Sequence, residues 1–563
     1  MRTRIFPFVL FFLLLAFYAF TLQPSLAWGD GIRLQREAIS AESFILAEMV
    51  EVSFAPDPYP FARLGVAAWD HPLYVMVGHT LVRLLPTADP LWLVNFLSAL
   101  FGAGAAGVLY LWLVRRTGSP MAATFAALAL AVSHTFWWHA TTPEVYTLFA
   151  ILQLLTIFLY DLYQQRGRPA ALYGAAFTLG LGAANHLLAL LLLPAAVLWA
   201  LLPEPIARSR AAGKALRQGG RRRLWARRRW LLAALFFLLG FSPYLIQFLR
   251  MMRTFPPARV LGPAVGATFL RGSLATTPGA LAESIVAYVT FLVYQFNPAG
   301  VALGVYGWWA GRRSFPTLWK QAAALYAVYL AFGVVYAVSD QFAFFLPAHV
   351  FWAGAMGMGA ARWLARVGNK GRRWAAAGLA LLVVVMPPLY EVAPDLLRAA
   401  GVTEEAFGIP QIGSGVRDGL DYYLNPNRRG DRAAYAFGRE TLQALPAEAV
   451  IIAEWYTDTD EFFVFRYFAA IEGVRPDVEV VGWPTVDPFA FDAAMAVAMV
   501  EEHVGRRPVY LASLSEEFYG ASTLAERYCI VPEDNLYRIY VREEEATAAP
   551  KVGRPCVSPG SLP

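Results

Sequence analysis

Apolar runs of bilayer length recur through roughly the first 390 residues of this chain, and they leave it little to become other than a membrane protein. A helix crossing the hydrocarbon core needs about 20 mostly apolar residues, because the backbone finds no water there to bond with. Runs of that kind cover 5–22, 92–114, 121–139, 144–163, 171–184, 187–202, 230–249, 281–311, 316–338, 342–361 and 374–391. The two pieces around Asn185-His186 are short, and Asn297-Pro298 interrupts 281–311, which reads as one kinked crossing. The expectation is a polytopic α-helical protein of about eleven transmembrane helices. Composition agrees, at 58% hydrophobic and only 16% charged residues, against about 45–50% and about 25% in soluble domains. Arg2 and Arg4 precede the first run, and Ser25-Leu26-Ala27 has the small residues of a cleavage site. The run is nevertheless long enough to span, so it reads as an uncleaved first helix.

Loop charge orients the chain, since Lys and Arg collect on the cytoplasmic side. With Arg2 and Arg4 inside, alternate loops carry Arg115-Arg116, then Arg166 and Arg168, then the run from Arg208 to Arg229. Arg312-Arg313 follow, and then Arg362, Arg366, Lys370, Arg372 and Arg373. Every strong cluster then falls inside, which predicts a multi-pass protein of the cell membrane with a cytoplasmic N-terminus and an extracytoplasmic C-terminal part. The outer face receives the first loop, residues 23–91, the join from His139 to Glu144, the loop 251–279 and Asp340. The net charge of +6 is made of these short loop clusters, which argues against nucleic acid as a partner and for the bilayer.

The acidic residues concentrate after Glu391. Residues 1–391 therefore read as the transmembrane domain and 392–563 as a soluble domain behind a linker near Pro394. Within the latter, Ala449–Ala453, Val478–Val481 and Pro508–Ala512 have the short buried character of strands. Tyr435–Leu445 and Phe491–His503 read as helices, so the expectation is a small α/β domain. Cys529 and Cys556 are the two cysteines of the chain. They pair if the tail faces an oxidising compartment and otherwise remain two thiols.

Five stretches carry groups able to do chemistry. Asp30, in Trp28-Gly29-Asp30-Gly31, follows the outer end of the first span. A carboxylate there can deprotonate an acceptor hydroxyl or bind a metal, or simply cap a helix. His71, in Asp70-His71-Pro72, can bind phosphate or shuttle a proton, while Pro72 predicts extended backbone before a helix. Residues 134–146 hold His134, Trp137, Trp138, His139, Glu144 and Tyr146 at one membrane boundary. Interfacial tryptophans are ordinary, and Glu144 suits the first turn of the next helix. Aromatic faces beside polar groups, however, are what a sugar or lipid-phosphate site uses. Asn185-His186 puts a polar pair in apolar sequence, for function or for helix–helix hydrogen bonds. Asp340 begins Asp340-Gln341-Phe342-Ala343-Phe344-Phe345-Leu346-Pro347, where an N-cap is the plainer reading. No Walker loop, HExxH motif or Ser-His-Asp spacing is present.

These stretches, in this order, resemble the O-mannosyltransferase-like membrane family known as domain of unknown function 2723, within the GT-C glycosyltransferases. The matching pieces are Trp28-Gly29-Asp30, His71-Pro72-Leu73-Tyr74, Val94 to Leu100, Ser133 to Tyr146, Asn185-His186 and Asp340 to Pro347. In the tail they are Leu445-Pro446 and Arg475-Pro476-Asp477-Val478. The resemblance implies a GT-C-like fold of about eleven helices, an active site on the outer face and a polyprenyl-phosphate-linked sugar donor, with mannose the default. It also implies a catalytic acid in the first outer loop, the position of Asp30. Many members follow that acid with Gly-Glu or Ala-Glu, whereas here Gly31 precedes Ile32 and Arg33, and Glu37 is out of register.

The reaction so implied is an inverting transfer. Asp30 takes the proton of an acceptor hydroxyl, on a protein, lipid or glycan, and the polyprenyl phosphate leaves. Its charge calls for a cation, and His71, His139 and Arg33 are the candidates in that order. Trp138, Glu144, Asn185, His186 and Asp340 complete the candidate donor site. A divalent cation is a candidate cofactor, although no complete ligand set is visible. The rival readings are a transporter or lipid flippase, which lacks the repeated halves common in that class, and a non-catalytic assembly protein, which the missing Glu favours.

Overall fold

The computed structural model describes residues 2–42, 66–195, 221–267, 270, 273–338, 340–407, 409, 412, 415–453, 461–482, 493–542 and 556–557. The Pro56–Pro60 piece and the basic residues Arg208 to Arg217 lie outside them. The chain forms two compact units. One comprises Met1–Leu22, Asp57–Val77 and Phe96–Tyr390, the other Gln23–Pro56, Gly78–Asn95 and Glu391–Pro563.

The first unit is helical. Among the described residues six helices are long and apolar enough to cross a membrane: Pro90–Thr117, Tyr146–Arg166, Arg228–Thr254, Pro278–Ser314, Pro316–Val335 and Lys370–Ala399. A seventh arises if Pro120–Ala131 and His134–Thr141, bent by 64° at Val132-Ser133, count as one crossing. The other expected runs are not among these helices. The run at 5–22 gives a short apolar helix, Ile5–Phe20, and 171–184 a helix of 17 residues, Pro169–Asn185. Past it the chain turns through a 3-10 segment, Leu187–Leu191, and leaves the described residues at 196. The run at 342–361 begins with the four-residue helix Gln341–Phe344 before the buried helix Leu346–Leu364.

The interrupted crossing Pro278–Ser314 breaks at Asn297, whose φ of 52° and ψ of 164° are not helical. Pro298 has no N–H to continue the ladder. The Asn297 side chain restarts it by accepting the Gly300 N–H at 3.0 Å, and donates to the Leu382 carbonyl at 3.2 Å. Beyond the break this helix presses against Leu346–Leu364 so closely that a Cβ on Gly307 would run into the Ala355 carbonyl, and one on Gly359 into that of Leu303. Small residues let membrane helices approach to this degree.

The second unit is built on a five-stranded sheet of order β2-β1-β3-β5-β4. The strands are β1 Val450–Ile452, β2 Glu479–Val481, β3 Val509–Leu511, β4 Tyr528–Glu533 and β5 Leu536–Val541. β1 runs parallel to both β2 and β3, and β5 is antiparallel to β3 and β4. Helices Ala433–Ala444, Glu461–Tyr467, Ala493–His503 and Ala521–Arg527 accompany the sheet. Val497, Val500 and Leu524 pack on Ile452, Leu511, Ile530 and Ile539. A disulfide joins Cys529 of β4 to Cys556, and the Val557 N–H bonds to the Ile530 carbonyl at 2.8 Å. Arg475 clips one edge. It donates to both Asp477 carboxylate oxygens, at 2.8 and 2.7 Å, and to the carbonyls of Leu442, Leu445 and Pro446.

Candidate active site

In the second unit Gln35 and Asn95 tie the loop 23–27 together. The Gln35 carboxamide accepts the Ala27 N–H at 3.0 Å and donates to the Ser25 carbonyl and Asn95 Oδ1. Asn95 donates in turn to the carbonyls of Gln23, at 2.8 Å, and Ser25, at 3.0 Å. Gln35 and Asn95 are both fully buried, so every bond their amides offer goes to this loop. The network delivers the chain to Trp28-Gly29-Asp30. Trp28 is buried with its ring 5.7 Å from that of Phe437, and the Arg417 guanidinium lies 6.0 Å from the indole. Arg417 also lies 4.6 Å from the Tyr422 ring and 5.2 Å from that of Tyr423. Gly29 turns the chain at φ 63°, a conformation costly with any Cβ.

Asp30 then opens the helix Asp30–Ser40, which packs on Glu461–Tyr467. Its carboxylate pairs with Arg33, one turn on, at 3.3 Å, and is 62% exposed. From Thr21 to Ser40 every other residue is at least half-buried. The helix buries Arg36 and Glu37, and the helix it meets buries Glu461. Burial first, and then the Arg466 guanidinium, pull Arg36 down to about 9, so it stays charged at neutral pH.

In the first unit His71, Trp138, His139, Asn185 and His186 come together. The His71 ring stacks on that of His186 at 5.1 Å, and His186 lies 5.7 Å from Tyr146. Tyr146 meets His139 at 4.7 Å, and His139 stacks on Phe342 at 5.8 Å with Trp138 edge-on beside both. Asn185 donates to the Val145 carbonyl at 3.0 Å, and its own carbonyl accepts from His71 Nδ1 at 2.7 Å. His186 Nδ1 accepts the Leu188 N–H at 3.1 Å. His139 is buried, and neither ring nitrogen has a hydrogen-bond partner among the described residues.

His71 is not extended. Its φ is 53°, in the left-handed region, although Pro72 follows. The bond to Asn185 and the stack on His186 hold it there against the local preference. Glu144 lies in the loop before the helix Tyr146–Arg166, not in its first turn. Its N–H donates to Ser98 Oγ at 3.0 Å, and that hydroxyl donates to the Glu144 carbonyl at 3.2 Å. The Tyr74 hydroxyl, 3.1 Å from Ser98 Oγ, is therefore the donor of that pair. Asp340 stands before Gln341–Phe344, and its side chain makes no capping bond. Phe342 and Phe344 of that turn reach the ring cluster. No three His, Cys, Asp or Glu among the described residues are arranged to hold a metal ion. Sequence reasoning missed Arg417, Tyr422 and Phe437, which surround Trp28. Nothing in their spacing pairs them with a residue near the other end of the chain.

Helices of this length and composition, with polar side chains gathered among rings inside them, define a multi-pass membrane protein. The fold resembles the crystal structure of ArnT from Cupriavidus metallidurans bound to undecaprenyl phosphate. The TM-score is 0.54 at 15% identity, over 94% of this chain and 97% of that one. Residues 68–205 match the family model for the Protein O-mannosyl-transferase TMEM260 N-terminal domain. Over 129 residues the chain is 29% identical to Protein O-mannosyl-transferase TMEM260 of Mus musculus, a match covering 22% of this chain and 18% of the mouse protein. These likenesses agree with the family resemblance read from the sequence: residues 68–205 resemble an O-mannosyl-transferase N-terminal domain, and the chain as a whole shares its fold with ArnT.

Proposed function

We propose that this protein is a membrane glycosyltransferase that moves a sugar, mannose by default, from a polyprenyl-phosphate donor to an acceptor hydroxyl on the outer face of the membrane. The observation that carries the reading is the exposure of the Asp30 carboxylate in an otherwise buried segment. The loop network spends its hydrogen bonds on presenting this one group. Asp30 takes the proton of the acceptor hydroxyl, and the oxygen bonds to the anomeric carbon with inversion. The bond from that carbon to the phosphate oxygen breaks, and the polyprenyl phosphate leaves with the electron pair. Arg33 keeps Asp30 in place. His71 heads the candidates for meeting the phosphate, and must then be protonated, because its Nδ1 already donates to Asn185. Trp138, His139, Glu144, Asn185, His186 and Asp340 belong to the donor site, with the aromatic faces suited to a sugar ring. Eleven crossings, a cytoplasmic N-terminus and an extracytoplasmic 392–563 domain complete the proposal, supported by the loop arginines.

The test is donor turnover by purified protein in detergent, with labelled polyprenyl-phosphate mannose and other polyprenyl-phosphate sugars, against water or a mixed peptide and glycan pool. Release of polyprenyl phosphate with sugar transfer supports the proposal. A folded protein that turns over none of these donors rejects it.

A further inference from the structure

An apolar groove of about 670 Å³ lies in the membrane unit, on the far side of the Asn297 break from the start of that helix. Leu303 and Ala299 of Pro278–Ser314 form one wall, Leu379 and Leu382 of Asn369–Val384 the other, and Trp363 borders it. Gly378 faces open space, as a Cβ there would meet nothing within 4 Å.

The groove has one polar end. Arg366 follows the helix Leu346–Leu364 and donates to the Tyr306 hydroxyl at 2.6 Å. Its guanidinium has further N–H groups beyond that bond. The same end of the helix trio gathers Arg312 and Arg313, Arg362, and Lys370, Arg372 and Arg373. Between Glu283 and Glu391 the sequence holds a single acid, Asp340, ahead of the start of Leu346–Leu364 and so at its opposite end. A hydrocarbon-sized groove thus ends at a cluster of positive charge. A guanidinium suits a phosphodiester, which it can meet with two parallel hydrogen bonds.

We propose that this groove binds an anionic phospholipid, with one hydrocarbon chain along Leu303 and Leu382 and its phosphate on Arg366. The site is independent of the transfer reaction. Basic pockets between membrane helices take anionic headgroups by this chemistry, and here the wall residues and the cation are specific.

The experiment is native mass spectrometry of the full chain after exchange into detergent with equal phosphatidylglycerol and phosphatidylcholine. Wild type retains phosphatidylglycerol about fivefold over phosphatidylcholine, the effect of roughly one surface cation. Arg366→Gln loses the preference, and Arg366→Lys keeps part of it. Gly378→Phe fills the groove without touching charge and releases the retained lipid. Equal retention of the two lipids by wild type overturns the proposal. So does an unchanged preference in Arg366→Gln or Gly378→Phe. Displacement of phosphatidylglycerol by an equal amount of undecaprenyl phosphate also overturns it, in favour of a prenyl-phosphate groove.

Discussion

His71 Nδ1 donates to the backbone carbonyl of Asn185 at 2.7 Å, across 114 positions of sequence. The bond ties the residue before Pro72 to the polar break after the helix Pro169–Asn185, and it holds a backbone at φ 53° that a β-carbon resists. Strain of this kind costs of order 1–3 kcal/mol and survives only where surrounding contacts over-determine it. Its presence at a candidate donor-binding residue fits a ring whose orientation matters more than its local comfort.

A glycine separates those two roles. His71→Gly relieves the backbone and gives up the bond to Asn185, each change being about 1 kcal/mol. The melting temperature in detergent is therefore expected to stay near wild type, while sugar transfer falls by at least about tenfold. His71→Ala keeps the strain, loses the bond and melts lower. Full transfer by a well-folded His71→Gly protein removes His71 from the donor site.

The disulfide makes a prediction for the tail. Cys529 and Cys556 are 27 positions apart and pin the segment after β5 back to β4. Closing a loop of that size stabilises by about 2–4 kcal/mol. Cys556→Ser, or reduction of wild type, is expected to lower the melting transition of the 392–563 region accordingly. Alkylation of both thiols in native protein without reductant contradicts the pairing.

Acid sensitivity follows from the Arg475 clip. The two hydrogen bonds from Arg475, and then the Glu448 N–H, hold the Asp477 carboxyl well below the usual carboxylate range. A depressed folded value means the stability is present above the unfolded value of about 3.9 and is lost as pH falls below it. Wild type should therefore lose stability on acidification below about pH 4. Asp477→Asn should be less stable at neutral pH and flatter through that window, as followed by circular dichroism. A variant with the wild-type acid profile contradicts this.

Much of the second unit was legible. Val450–Ile452, Glu479–Val481 and Val509–Leu511 sit inside the three expected strands, because short apolar runs between turn residues announce buried parallel strands. The hairpin of β4 and β5 was missed, although Asp534-Asn535 between apolar runs is a turn signal and Asp534 takes φ 52° there. The ring cluster was half legible. Each of its members was singled out, but nothing in the sequence says that His71 stacks on His186. That Trp28 is held by Arg417 was not legible at all, since such a contact has neither period nor spacing.

The central claim is that Asp30 is the base. The most direct test is transfer from labelled polyprenyl-phosphate sugar by wild type beside Asp30→Asn, with melting temperature and donor binding measured on both. The account predicts that Asp30→Asn folds and binds donor as wild type does, because the side chain is exposed and pairs with Arg33 at the surface, and that transfer falls by about a hundredfold or more. Transfer at the wild-type rate by Asp30→Asn contradicts it.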